Sequence, residues 1–409
     1  MDVDFQRKVD RIAGTVICRL FSLFSGKRQK NRQRLRPQNI MVILLSEMGS
    51  LVLARPMFDH LKKKYPPASI FVLLFKQNKE LLDILAVVPE ENILTVRNDR
   101  FNHLLFDSVK ALRMMRRVGI DTVLDCELFS RISSIYSFLS GADIRVGFHP
   151  YTQEGLFRGD FINRPVLYNP YQHISHQFIT LAEAIESDGR PTVKRQVSND
   201  ALGITAMTVG QDEITALSQR LKNNFSQVQG KNIILIYPGG GLLPIRAWPL
   251  SYFCRIAEDF IQNGYIVGII GLKQDKEIAG EIVSYCRSTN CINLTGYTKT
   301  VRELMILFHL ASLLITNDGG PGHFAAMTPI STIILYGPET PALYGSLDDK
   351  SINLYLSLSC SPCLTAYNHR NSPCDGDNQC LKSIPPETVL RKAYEILRSQ
   401  ESSPKPAFS

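Results

Sequence analysis

The sequence predicts an α/β protein built from two doubly wound units, and three observations carry that prediction. Short, almost wholly apolar runs recur between amphipathic stretches, which is the pattern of strands buried on both faces of a parallel sheet. Two of those runs end in glycine-rich turns that open helix-like segments. At 409 residues, 44% hydrophobic and 21% charged, the chain is long enough to bury two cores of ordinary size.

The elements follow in order. A segment over residues 1–36 stands apart by its charge. Residues 37–199 form the first unit, with strands expected at Ile40–Leu45, Ser69–Phe75, Asn92–Val96, Asp121–Cys126 and Asp143–Phe148, separated by helical stretches. The segment Asp188–Asn199, with Gly, Pro and mixed charges, reads as a linker. A helix over Gln211–Asn223 leads into the second unit, residues 200–385, whose strands include Ile233–Tyr237, Tyr265–Gly271 and the run ending at Asn317. A final helix over Pro386–Ser399 is expected to reach back across the domain seam, and a polar tail ends the 386–409 segment.

The chemistry-bearing stretch is Leu314–Met327. An apolar run stops at Asn317-Asp318, passes Gly319, Gly320 and Gly322, and resumes as a helix. Such a turn aims unpaired backbone N–H groups at one spot and suits a pyrophosphate, although a plain strand-to-helix turn has the same composition. Asp318 and His323 flank the spot, His323 either bonding a phosphate or bracing the turn. An earlier turn, Gly239-Gly240-Gly241, follows Ile233–Tyr237 and precedes Arg246 and the only tryptophan, Trp248, which reads mainly as packing. In an open parallel sheet both turns lie at the carboxyl edge, where ligands bind. Asp275 or Glu277, opening the helix after Tyr265–Gly271, is placed to face a ribose hydroxyl, or simply favours a helix first turn.

The net charge of +8 is not spread evenly. Residues 1–36 hold ten Lys/Arg and three Asp, which leaves 36 basic against 35 acidic residues elsewhere. A nearly neutral body argues against a nucleic-acid groove. Within 1–36, Phe5, Val9, Ile12, Val16, Leu20 and Phe24 recur at helical spacing among Arg7, Lys8, Arg11 and Arg19, followed by the run GKRQKNRQRLR. The pattern suits a helix lying on an anionic membrane surface, or one packed on the protein itself; it is too short and charged to span a bilayer and does not read as a secretory signal.

Of nine cysteines, Cys18, Cys126, Cys254, Cys286 and Cys291 fall in apolar or helical surroundings and read as small core residues of a reducing compartment. Cys360, Cys363, Cys374 and Cys380 cluster in a loop that also holds His369. Four thiolates to a structural zinc, a disulfide and free thiols all remain open there, and the gap between Cys374 and Cys380 is wide for a paired knuckle.

Taken in order, Tyr237-Pro238-Gly239-Gly240, Arg246-Ala247-Trp248-Pro249, Asn293-Leu294-Thr295-Gly296, Asn317 through His323 and Leu335-Tyr336-Gly337-Pro338-Glu339, with the amino-terminal Ile40–Pro56, make the chain resemble glycosyltransferase family 9, the ADP-heptose:lipopolysaccharide heptosyltransferases. The resemblance implies the GT-B architecture, two Rossmann-like domains facing across a cleft, with an acceptor domain first and a nucleotide-sugar domain second. It implies an inverting enzyme that needs no cofactor or metal for catalysis, works at the cytoplasmic face of a bacterial inner membrane, and moves a heptose or similar sugar from a nucleotide-sugar donor to a lipid-linked glycan acceptor. It places Arg246 at the basic position two before Trp-Pro and, with the amides of Gly319, Gly320 and Gly322, on the phosphates; Gly240 and Gly241 line the same site. It also treats the cysteine loop as family architecture.

One departure stands out. The family's amino-terminal loop reads Gly-Asp, its aspartate serving as general base, whereas this chain has Gly49-Ser50 in that acceptor-side loop. A hydroxyl cannot do a carboxylate's work near neutral pH. Glu47 is the nearest replacement, and Asp125 and Glu127 are further candidates. Two other functions fit the same motifs: a nucleotide-sugar binding protein that lost its base, and a sugar-nucleotide epimerase of this architecture.

Overall fold

The computed structural model describes residues 6, 8–25, 36–45, 47–128, 130–149, 157–187, 202–241, 243–365 and 372–402. The expected linker Asp188–Asn199, most of the basic run after Ser25, His369 and the tail beyond residue 402 lie outside the described residues. The described chain divides into two compact units, one running to Gly203 and the other beginning at Ile204.

In the first unit a π-helical turn, Asp10–Gly14, runs into α1 (Thr15–Ser25). There follow β1 (Asn39–Ile43), α2 (Met48–Lys64), β2 (Ser69–Phe75), α3 (Lys79–Leu85), β3 (Ile93–Val96), α4 (Phe101–Arg117) and β4 (Thr122–Asp125). The unit continues through α5 (Arg131–Leu139), β5 (Ile144–Phe148), β6 (Arg164–Val166) and α6 (Ile174–Glu183). All six strands pair in parallel in the order β3-β2-β1-β4-β5-β6.

The second unit begins with α7 (Gln211–Asn224), β7 (Ile233–Tyr237), α8 (Leu250–Gln262), β8 (Ile266–Gly271), α9 (Lys276–Cys286), β9 (Cys291–Thr295), α10 (Val301–His309) and β10 (Leu313–Asn317). It ends with α11 (Gly320–Ala325), β11 (Ser331–Tyr336), α12 (Pro341–Tyr344), β12 (Ser351–Tyr355), α13 (Gln379–Lys382) and α14 (Pro386–Ser402). Its sheet is again parallel, ordered β12-β11-β10-β7-β8-β9. Each unit therefore winds outward from its first strand in both directions. The order reverses between β1 and β4 and between β7 and β10, so a ligand crevice opens at the carboxyl ends of those pairs.

Burial explains which strands the sequence showed. β1, β7 and β10 are apolar runs covered on both faces, with every residue of β7 and β10 buried. β6 and β12 are edge strands that the apolar pattern did not mark: β6 is three residues with Pro165 in its middle, and β12 is half exposed along its length. An edge tolerates both features because one side of its ladder needs no partner. Val389, Ala393 and Leu397, spaced as one stripe of α14, join the second unit's own core beside Phe253 and Ile256 of α8.

The amino-terminal segment is tied into the first unit. The Asp10 carboxylate accepts hydrogen bonds from the backbone N–H groups of Arg131 (3.0 Å) and Ile132 (2.9 Å), capping α5 from another element. Burial pushes the Asp10 carboxyl up from its ordinary value while those two amides pull it back. Cys18 is fully buried with Phe161 and Ile162, and Phe21 stacks on Phe138 at 4.7 Å. Among the described residues no helix is long and apolar enough to cross a membrane. Asp10→Ala should cost about 1–2 kcal/mol by stripping the cap from α5. The change is expected as faster amide exchange in Arg131 and Ile132, and unaltered exchange there would show that α5 holds without it.

Candidate active site

The second unit's site is organised by Asn317, the last residue of β10. Its side-chain N–H₂ donates to the carbonyls of Pro238 (2.9 Å) and Gly239 (3.0 Å), and its Oδ1 accepts the N–H of Trp248 (3.0 Å). A single fully buried carboxamide thus joins the turn after β7, the turn after β10 and the segment carrying Arg246. Trp248 is packing, as expected: its indole N–H donates to the Ile384 carbonyl (3.0 Å) and its ring meets Phe253 edge-on.

Arg246 lies between two buried carboxylates. Its Nη2 donates to Glu339 Oε2 at 2.6 Å, and its Nε stands 3.7 Å from Asp318 Oδ2. Glu339 follows β11 in the next turn along the carboxyl edge, so all three charges occupy one corner of the unit. His323 is buried in α11, four residues short of Met327, whose carbonyl accepts the Met207 N–H (2.8 Å).

The glycines divide by role. Gly241 has φ +61°, a conformation the turn could not adopt with most side chains. A Cβ at Gly240 would fall 2.7 Å from the Leu243 carbonyl oxygen, and one at Gly322 would fall 3.0 Å from Ile334 Cδ1, so both serve close packing. A Cβ at Gly319 would have no neighbour nearer than 4.0 Å, and there the edge is open to a ligand. α11 is only six residues long, so the anion-attracting power of this turn resides in individual N–H groups more than in a helix dipole. Asp275 is largely engaged locally: its Oδ2 accepts the Leu272 N–H (2.7 Å) in a capping turn. The adjacent Tyr237 phenol is pushed up to about 12, chiefly by burial and also by the Asp275 charge.

The cysteine loop braces this corner. The N–H groups of Cys363 and Leu364 both donate to the Pro338 carbonyl at 2.9 Å, Ser361 Oγ donates to the Gly337 carbonyl, and Asn378 Nδ2 donates to the Ile245 carbonyl at 2.7 Å. The loop thereby grips the residues next to both Glu339 and Arg246. Among the described residues no three His, Cys, Asp or Glu side chains gather as metal ligands. Cys363 Sγ accepts the Ser372 hydroxyl, Cys374 lies exposed beside Asp375, and Cys380 is buried under Gly337 within electrostatic reach of Cys360 and Cys363.

At the first unit's switch point stand the three acidic candidates. Asp125 ends β4 fully buried, paired with Arg158 and accepting the hydroxyls of Ser133 and Ser134 (3.1 Å each), so its oxygens are committed. Glu127 accepts the Leu45 N–H at 2.6 Å and shapes the loop after β1. Glu47 caps the start of α2 from an extended backbone without bonding it, and is half-buried together with Gly49 and Ser50. Ser50 Oγ donates to Glu47 Oε2 at 3.1 Å.

Residues 112–372, more than half of the chain, match the family model for glycosyltransferase family 9 (heptosyltransferase). The chain belongs to glycosyltransferase family 9. Lipooligosaccharide heptosyltransferase 2 of Campylobacter jejuni is 28% identical over 42% of this chain and 52% of its own length, so the match spans about half of that relative. Lipooligosaccharide heptosyltransferase 2 of Haemophilus influenzae is 24% identical over 88% of this chain and 99% of its own length. The solved structure of Escherichia coli ADP-heptose lipopolysaccharide heptosyltransferase II, 22% identical, superposes with a TM-score of 0.68 over 89% of this chain and 100% of that one. That likeness agrees with the paired Rossmann-like sheets of GT-B proteins.

Two members of the second unit's site, Asn317 and Glu339, lie in the family-like motifs, yet nothing in the local sequence marks them as site residues. Their roles arise from contacts across 69 and 93 residues of sequence, which no local pattern displays. Asn317→Ala should destabilise the second unit by about 3 kcal/mol, because two carbonyls and one N–H lose their buried partner. The measurement is the urea midpoint of unfolding, and an unshifted midpoint would show that the two turns hold each other without the carboxamide.

Proposed function

We propose that this protein transfers a heptose or a related sugar from a nucleotide-sugar donor, ADP-heptose being favoured, to a lipopolysaccharide-core or other lipid-linked glycan, with inversion and without a catalytic metal. The observation that carries the proposal is Arg246, oriented between Asp318 and Glu339 beside two glycine turns at a topological switch point. The names of the relatives support the sugar and the acceptor class.

The chemistry assigns each group a task. As the anomeric C–O bond breaks, its electron pair passes to the distal phosphate of the leaving nucleoside diphosphate. Arg246 and the N–H groups of Gly319, Gly320 and Gly322 stabilise that charge. Glu47 removes the proton of the acceptor hydroxyl, whose oxygen forms the new bond on the opposite face of the sugar. The serine at the family's aspartate position then has a purpose of its own: Ser50 donates to Oε2 of Glu47 and helps orient the carboxylate that serves as base. His323 supports the phosphates from within α11, while Asp275, bound to its own turn, keeps one oxygen for the ribose. The protein works on the inner face of a bacterial inner membrane, attached peripherally to anionic lipid through residues 1–36, whose exposed side carries Ile12, Val16 and Leu20.

The test is release of nucleotide from ADP-heptose with and without a lipid-core acceptor. Acceptor-dependent release is expected, and release of nothing from any nucleotide sugar would defeat the proposal. Arg246→Ala should lower kcat/KM by roughly 10²–10³-fold, in keeping with loss of one charge-stabilising donor. Glu47→Gln should lower kcat by at least about 10²-fold while donor affinity, read by calorimetry, stays within a factor of about two. Full turnover in Glu47→Gln would remove Glu47 from the base role.

A further inference from the structure

We propose that α4 is a second lipid-contacting element, which together with the amino-terminal helix forms one footing on an anionic phospholipid surface. This rests on the membrane attachment proposed for residues 1–36 and extends it to a helix in the body of the first unit.

A helix crossing between strands of an α/β unit ordinarily keeps its outer side polar. α4 buries Ala111 and Met115 against the sheet, yet its outer side carries Phe101 (63% exposed), Leu105 (57%) and Phe106 (68%), with Val109 beyond them. Phe101, Leu105 and Val109 are spaced four apart and form one stripe. The last turns change character: Lys110, Arg113, Arg116 and Arg117 are all exposed. An apolar first half followed by a cationic second half is the make-up of a helix that sets its apolar residues into the acyl boundary and its cations among headgroups.

The two segments belong to one surface. Gln6 Nε2 donates to the Asn98 carbonyl at 3.3 Å, joining the approach to the amino-terminal helix with the approach to α4. Both flank α5, where Phe21 stacks on Phe138 and Ser108 shares a hydrogen bond with Tyr136. Lys8, Arg11 and Arg19 are exposed on the amino-terminal side. Among the described residues, Asp10 is held by the α5 amides, Asp107 by the Arg97 guanidinium at 2.7 Å and Asp99 by His103 at 3.0 Å, while Asp121, which accepts the Gln38 and Asn39 amides, and Asp143 lie beside Arg116 at the far end of α4. The surface thus combines apolar protrusions with seven exposed cations, which complement anionic lipid. A second copy of the chain would oppose the same cations across a self-complementary contact.

The experiment floats the full chain with vesicles of phosphatidylglycerol and phosphatidylethanolamine, and in parallel with phosphatidylcholine alone. The native chain is expected on the anionic vesicles, less so as salt is raised. L105S/F106S should bind about tenfold more weakly, and R113E/R117E should bind more weakly and lose salt sensitivity, both with an unchanged melting temperature because these side chains are exposed. Native-like binding by both variants would overturn the role of α4 while leaving the amino-terminal attachment standing. A native chain that ignores every vesicle would overturn both attachments, yet leave the transfer reaction to its own assay. A change from dimer to monomer in L105S/F106S with vesicle binding intact would assign the face to self-association and overturn the lipid reading.

Discussion

The Asn317 carboxamide is the contact on which the second unit's carboxyl edge depends, because it satisfies main-chain groups from two separate turns and from the arginine segment at once. Each of those groups is buried, and each would cost free energy if left without a partner. A side chain that donates twice and accepts once is required at this point. Asparagine meets that need from the end of a strand, whereas aspartate would present only acceptors to the Pro238 and Gly239 carbonyls. The glycine turns are therefore not independent anion loops. They are two sides of one structure, closed by a residue that never has to touch a ligand.

Charge around Arg246 imposes a second constraint. One guanidinium faces two carboxylates that are themselves almost wholly buried, so its direction is set before any ligand arrives. The same pairing weakens its net pull on an anion, since Asp318 and Glu339 together outweigh it. Under the proposed function, main-chain N–H groups must then carry a substantial share of the diphosphate's charge, and Gly319 is where the edge is open for them. The cysteine loop belongs to this arrangement through its hydrogen bonds to Pro338 and Ile245, which hold the glutamate and arginine segments in place.

Buried parallel strands were legible in the sequence because each is a continuous apolar run between turn residues, and the glycine turns were legible because they interrupt such runs. Edge strands β6 and β12 escaped since half their residues need not be apolar. Arg246, Asp318 and the glycines were visible through their order along the chain. Glu339 and Asn317 stood in the same motifs without showing their partners, because hydrogen bonds spanning 93 and 69 residues leave no local trace. The same holds for the acids of the first unit. Asp125 and Glu127 stood behind Glu47 as further candidates, and what occupies them, Arg158 and the Leu45 N–H, comes from distant parts of the chain. Charge counting singled out residues 1–36 but was blind to α4, whose cations are balanced in the total by acids elsewhere.

On the proposed function the second unit grips an activated sugar by its diphosphate. A crystal structure with ADP-heptose or a non-reacting fluorinated analogue tests it most directly. The diphosphate is expected within hydrogen-bonding distance of the Arg246 guanidinium and the main-chain N–H groups that follow Asp318. A diphosphate bound elsewhere, with that corner filled only by solvent, would contradict it.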